Sequence, residues 1–173
     1  FDQVTSGAVR NLTIEKARSN GGAGVLVSRS ANVTVANNIL RNNRNYGVRT
    51  VDSTDISIAA NDILHNDTGV EVSHVSDGVA VVDNLVHDNN RMIVNTPDIA
   101  GDDHGAVGIT FVKTSGPTRA SGNRVWGNRA PSYDYGYDGG AFEIFGSSDV
   151  TITDNVAWDN KDVLETGTSG PPC

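Results

Sequence analysis

Short runs in which apolar and polar residues alternate recur along the whole chain, and no segment carries the 3.6-residue period of an amphipathic helix. Each unit has the same grammar. A glycine opens a strand, as in Gly24-Val25-Leu26-Val27, Gly47-Val48-Arg49-Thr50, Gly69-Val70-Glu71-Val72 and Gly108-Ile109-Thr110-Phe111, with Ala141-Phe142-Glu143-Ile144 as a variant. A second alternating strand follows, as in Val33-Thr34-Val35, Ile56-Ser57-Ile58, Val79-Ala80-Val81 and Val150-Thr151-Ile152, with Leu12-Thr13-Ile14 as an earlier copy. Then two Asn or Asp residues, five apart, bracket a short apolar piece: Asn38 and Asn43, Asp62 and Asp67, Asn84 and Asn89, Asn123 and Asn128, Asn155 and Asn160.

Early copies repeat about every 22 to 24 residues, a period that belongs to solenoids. Leucine-rich repeats share the period but need a leucine scaffold that this chain lacks. Ankyrin and tetratricopeptide repeats need helices. Three short strands that return to their start predict one rung of a parallel β-helix, about six or seven rungs in all. Strands would stack at about 4.8 Å, Val on Val and Ile on Ile. The recurring Asn would hydrogen-bond to its neighbours above and below, where the backbone bends and needs partners.

With these residues in view, the sequence resembles the secreted right-handed parallel β-helix proteins of the pectate-lyase-like superfamily. The likeness is carried by Asn32-Val-Thr-Val-Ala-Asn-Asn-Ile-Leu, by Ser148-Asp-Val-Thr-Ile-Thr-Asp-Asn-Val-Ala and by the glycine-led strands, and it covers nearly the whole chain. It implies an all-β single-stranded solenoid, an extracellular setting and a polysaccharide as partner. Members include lyases, glycoside hydrolases, epimerases and phage tailspikes, so the fold does not name the chemistry.

Composition sharpens this. The 173 residues have room for one domain (1–173), which reads as part of a longer chain with flanking rungs. A net charge of -8 argues against nucleic acid or an anionic membrane as partner, and mildly against an anionic polysaccharide. A single cysteine, Cys173, offers no internal disulfide or thiolate metal site, and no apolar run would span a bilayer. His65, His74 and His87 lack metal-ligand spacing and read as surface histidines. Trp126 and Trp158 occupy corresponding places and read as packing one turn.

The repeat is interrupted twice at the same place in the rung, by 90–106 and by 129–140. Insertions in solenoids map to loops on one face. The first holds Asp102, Asp103 and His104; the second holds Tyr133, Asp134, Tyr135, Tyr137 and Asp138, and so three of the four tyrosines. Rings stack on sugar while carboxylates bind hydroxyls. Beside these loops, the outward positions of the glycine-led strands form a column: Leu26, Arg49, Glu71, Thr110, Glu143 and Glu165. Stacking predicts Glu143 next to Glu165 and Glu71 two rungs from Glu143. Like charges so close raise one pKa and keep one acid protonated.

Three chemistries follow. Glycoside hydrolysis would use paired acids drawn from Glu143, Glu165, Asp103 and Asp138, with His104 beside them, Tyr133, Tyr135, Tyr137, Glu71 and Arg49 on the sugar, and no cofactor. A lyase or epimerase acting on a uronate would use calcium held by Asp102, Asp103 and Asp138, with Lys113, His104, Arg91 or Arg119 as base or neutraliser. The third is binding or adhesion without catalysis. Hydrolysis is the leading expectation, because few cations face the column.

Overall fold

The computed structural model describes residues 1–74 and 76–168; Cys173 lies outside them. Within these residues there is no helix, and hence none long or apolar enough to cross a membrane. Three sheets of six parallel strands each run the length of the molecule, and every strand pairs with its equivalent one coil away. The chain thus winds through six coils. The glycine-led sheet comprises Ala23–Ser28, Tyr46–Val51, Thr68–Ser73, Val107–Val112, Gly140–Phe145 and Asp162–Gly167.

The in-register pairing gives the core. Val25, Val48, Val70, Ile109 and Phe142 form one inward column of the glycine-led sheet, and Val35, Ile58, Val81 and Ala120 form another on the second sheet. Leu40, Ile63, Val86 and Val125 complete the third wall. Nearly all of these side chains are buried. The opening glycines are required by the tight corner behind them: a Cβ at Gly69 would lie 2.4 Å from Val86 Cγ1 and 2.5 Å from the Gly108 carbonyl.

Two asparagine ladders hold the corners on either side of the third sheet. One runs Asn38, Asn61, Asn84, Asn123, Asn155, and the other Asn43, Asn66, Asn89, Asn128, Asn160. In each link, the Oδ1 of one Asn accepts both the backbone N–H and the Nδ2–H of the Asn one coil before, at 2.9 and 3.0 Å between Asn61 and Asn84. The remaining Nδ2–H of Asn61 donates to the Val35 carbonyl at 2.9 Å. In the third coil the ladder residues are therefore Asn61 and Asn66, one position before the Asp62 and Asp67 that the five-residue spacing picks out. An aspartate has no N–H with which to continue such a chain of donors.

The residue before each ladder position bends the backbone into the left-handed region: Asn37, Ala60, Asp83, Gly122 and Asp154 on one corner, Asn42, His65, Asp88, Gly127 and Asp159 on the other. A shorter serine ladder, with Ser53 Oγ accepting from Ser30 N–H at 3.1 Å and Ser76 Oγ from Ser53 N–H at 3.4 Å, serves the third corner. Trp126 and Trp158 stack on one turn with centroids 4.8 Å apart, as their spacing predicts. His87 differs from the surface residue expected: it stacks on Trp126 at 4.2 Å and sits between the carboxylates of Asp62 (3.0 Å) and Asp88 (2.8 Å).

The ladder carries a stability prediction. Asn84→Ala leaves two Asn61 donors without partners in the interior and removes the side-chain donations to Asn123 Oδ1 and the Ile58 carbonyl, which should cost about 3 kcal/mol or more. Chemical denaturation reads this directly.

Candidate active site

The outward column of the glycine-led sheet stands in the predicted register: Leu26 against Arg49, Arg49 against Glu71, Glu71 against Thr110, Thr110 against Glu143, and Glu143 against Glu165. Strand pairing fixes this order, because side chains at one register point from the same face.

Both insertions fold into hairpins, Met92–Val94 with His104–Gly105 and Ala130–Ser132 with Gly136–Asp138. They stand side by side. Asn95 Nδ2 donates to the Pro131 carbonyl at 3.1 Å, and Asn95 Oδ1 accepts from Tyr133 N–H at 3.1 Å.

Asp103 is the pin between them. Its Oδ2 accepts from Ser132 Oγ (2.7 Å) and Asp134 N–H (3.0 Å), and its Oδ1 from Thr96 N–H (2.7 Å). Burial alone would raise its pKa, but these hydrogen bonds prevail and hold it below the usual carboxylate value. A carboxylate fixed in this way positions the loops and holds no proton to donate, so Asp103, which also lines the cleft beside Glu143, does not fit the role of proton donor.

Asp102, Asp103 and Asp134 bring one oxygen each within 4.8 Å of one another. An all-oxygen set of this kind suits calcium. The hydrogen bonds, however, already account for the grouping. Asp134 Oδ2 accepts N–H bonds from Gly101, Asp102 and Asp103 at 2.8, 3.1 and 3.4 Å, and Asp102 accepts from Thr96 Oγ1 at 2.9 Å. Asp138, grouped with Asp102 and Asp103 from the sequence, is not a member; Asp134 takes its place.

Between the hairpins and the sheet run two adjoining clefts of about 150 and 170 Å³. Each is smaller than the pockets of roughly 300 Å³ or more that enclose small molecules. Together they form an open groove suited to a chain. The first is lined by Glu143, Glu165, Asp138, His104, Tyr135 and Lys161. The second continues from Glu143 and His104 along Thr110, Glu71, Arg49 and Tyr46.

Glu143 is the buried acid of this groove, only 7% exposed. Burial, then the negative charges of Glu165 and Asp138, push its pKa up to about 8, so that it holds a proton at neutral pH. Glu165 and Asp138 are also raised, chiefly by burial. Thr110 Oγ1 is buried between Glu71 and Glu143 in the column, and its hydroxyl lies beside the Glu143 carboxyl, whose pKa it lowers against the larger effect of burial. His104 Nδ1 lies 3.2 Å from the Asp102 carbonyl, an arrangement that keeps the proton on Nδ1 and leaves Nε2 as acceptor.

Glu71 and Arg49 line the second cleft as a pair. Glu71 is tied to Arg49 at 2.7 Å, with the guanidinium 4.9 Å from the Tyr46 ring centroid. Tyr133 and Tyr137 are exposed and line neither cleft, and Tyr135 alone of the three does. Lys113 sits on the exposed turn after Val107–Val112, Arg119 lies on the second sheet, and Arg91 pairs with Asp67 at 3.0 Å, so none of them serves the groove. Besides Arg49, the groove is lined by Lys161, which pairs with Asp162 at 2.5 Å and escaped the sequence reading. It follows Asn160 in a turn, a position that only the ladder places beside Glu165.

Comparison with known proteins matches the chain to the family described as right handed beta helix region over residues 2–157, and the protein belongs to that family. No curated protein matches the sequence. Among solved structures it is similar to the A-module of the Azotobacter vinelandii mannuronan C-5 epimerase AlgE4, with a TM-score of 0.65 and 19% identity. The match covers 96% of this chain and 47% of the other, so the chain spans about half the length of that module. At this identity the likeness is one of fold.

The buried acid has a consequence for stability. An unfolded Glu loses its proton near 4.5, the folded Glu143 near 8. Between these values the native state binds more protons, so this residue's contribution to stability falls as pH rises through that window. Glu143→Gln should therefore leave stability little changed at pH 4 and raise it by a few kcal/mol at pH 9, at about 1.4 kcal/mol per pKa unit. Urea unfolding at the two pH values measures the difference.

Proposed function

We propose that this β-helix protein cleaves a polysaccharide by glycoside hydrolysis, with Glu143 as proton donor and Glu165 as its carboxylate partner. The observation that supports it is a buried, proton-bearing Glu143 one strand from Glu165 on the floor of an open groove. Neighbouring strands at about 4.8 Å suit the roughly 5 Å carboxyl separation of a retaining mechanism. In the first step Glu143 gives its proton to the glycosidic oxygen. That bond breaks as the Glu165 carboxylate bonds to the anomeric carbon. In the second step the Glu143 carboxylate takes a proton from water, whose oxygen displaces Glu165 and releases the sugar. Tyr135 supplies a ring at the edge of the cleft, and Thr110 a hydroxyl beside the Glu143 carboxyl. No cofactor is required. With this reading goes an extracellular setting.

A second reading is favoured by Lys161, His104 and Tyr135 in the same cleft. Lys161 would neutralise a uronate carboxylate, His104 Nε2 would take the proton beside it, and Tyr135, whose pKa is raised by burial and by nearby acids, would return one. This is lyase or epimerase chemistry, and the similar solved structure is that of a mannuronan C-5 epimerase. Calcium at Asp102 and Asp103 belongs to this reading alone.

A polysaccharide panel separates the readings. Hydrolysis predicts new reducing ends, unchanged by a calcium chelator, with Glu143→Gln and Glu165→Gln each lowering the rate at least about 100-fold. The rate should fall on the alkaline side as Glu143 loses its proton near 8. Thr110→Val should lower activity, since it removes the hydroxyl beside the Glu143 carboxyl. Ultraviolet absorbance from an unsaturated product, or exchange of the uronate H5 with deuterated solvent, would replace hydrolysis by the second reading. Bound polymer without any reaction would leave a binding protein.

A further inference from the structure

The chain is acidic overall, yet one corner of the coil is basic. The N–H of Ala17 donates to Asn43 Oδ1 at 3.2 Å, and the N–H of Asn43 to Asn66 Oδ1 at 3.0 Å. Arg18, Arg44 and Asp67, each one residue further along, therefore share one register on three successive coils. Arg91 reaches back to them from the first hairpin. Its Nε lies 3.0 Å from Asp67 Oδ1, and its Nη2 donates to the Asn43 carbonyl. Arg18, Arg44 and Arg91 consequently line one open concavity of about 430 Å³.

Asp67 balances one of the three at most. Burial pushes its pKa up to about 7 against the pull of Arg91 and Arg44, and Arg91 is its ion-pair partner. Among the described residues neither Arg18 nor Arg44 has a carboxylate within ion-pair distance. Three guanidinium groups around one hollow repel one another unless an anion joins them. The planar fork of arginine matches carboxylate and sulfate oxygens two at a time.

The corner is continuous with the groove. Arg44 also borders a hollow shared with Asp67 and Ile93, and Ile93 borders the cleft of Arg49, Glu71 and Thr110. From the second coil to Glu143 on the fifth is three strand spacings, about 14 Å, a span of a few sugar units.

We infer that the Arg18–Arg44–Arg91 corner binds the carboxylate or sulfate groups of an acidic polysaccharide whose chain continues into the groove over Glu143. The identity of the ligand as a polysaccharide rests on the proposed function; the anion site rests on the arginines. Nucleic acid is disfavoured because, among the described residues, no aromatic side chain lines the hollow for bases to stack on.

Affinity electrophoresis tests this with polygalacturonate, dextran sulfate, neutral dextran and a single-stranded DNA oligomer as probes. Retention by polygalacturonate or dextran sulfate but not by dextran is expected, weakening with salt. The double variant Arg18→Gln/Arg44→Gln should weaken it at least about tenfold. Arg91 is left in place because its loss would strand buried Asp67, and circular dichroism verifies the fold of the double variant. Glu143→Gln should retain the binding. Equal retention of the folded double variant, no retention by either anionic probe, or DNA held as tightly as polygalacturonate would each overturn the inference. Anion binding in a protein that cleaves nothing counts against the hydrolytic reading alone. Cleavage through Glu143 without anion binding counts against this inference alone.

Discussion

In-register stacking at one strand spacing is the constraint from which the other features follow. Every position in a coil must tolerate its own equivalents directly above and below it. For Val, Ile and Leu this is favourable, since like shapes pack and a modest apolar content makes a continuous core. For Asn it is favourable for another reason. The side-chain amide both donates and accepts, so each residue satisfies the backbone of one neighbour and is satisfied by the next. For Glu the same rule is unfavourable, and Glu143 and Glu165 face each other on adjacent strands because the scaffold gives them no alternative. The proton held by Glu143 is the response to that crowding and to burial under the hairpins.

The hairpins turn a sheet face into a site. Without them the outward column would be a solvated stripe in which Arg49 and Glu71 pair across strands. With them, Glu143 is covered, and His104, Tyr135 and Asp138 are brought to its side. The acid in the middle of this arrangement is structural: Asp103 ties one hairpin to the other, and its hydrogen bonds keep it ionised. Two neighbouring carboxylates, Asp103 and Glu143, are thus driven in opposite directions by hydrogen bonding in one case and by desolvation in the other.

Much of this was legible in the sequence, because a repeat converts spacing into contact. The coil, the outward column and the meeting of Glu143 with Glu165 all follow from aligning one unit on the next. Register within a turn was harder. The Asn-Asp pairs Asn61-Asp62 and Asn66-Asp67 offer two residues with the right spacing, and only the need for an N–H donor selects the first of each. The hairpins interrupt the repeat, so alignment does not say which of their residues turn inward. This is why Tyr133 and Tyr137 were grouped with Tyr135, and Asp103 with the catalytic acids. Bulk charge is also blind to position. A net charge of -8 conceals a division between an acidic groove and the basic corner of Arg18, Arg44 and Arg91.

The central claim is that stacking and burial together keep a proton on Glu143 at neutral pH. The most direct test is a carbon-13 NMR titration of its side-chain carboxyl in the intact protein and in Glu165→Gln. The account predicts a midpoint near 8 in the former and a lower one in the latter, where a neighbouring charge is gone. A midpoint near 4.5, the ordinary value for a glutamate, or one that ignores the loss of Glu165, would contradict it.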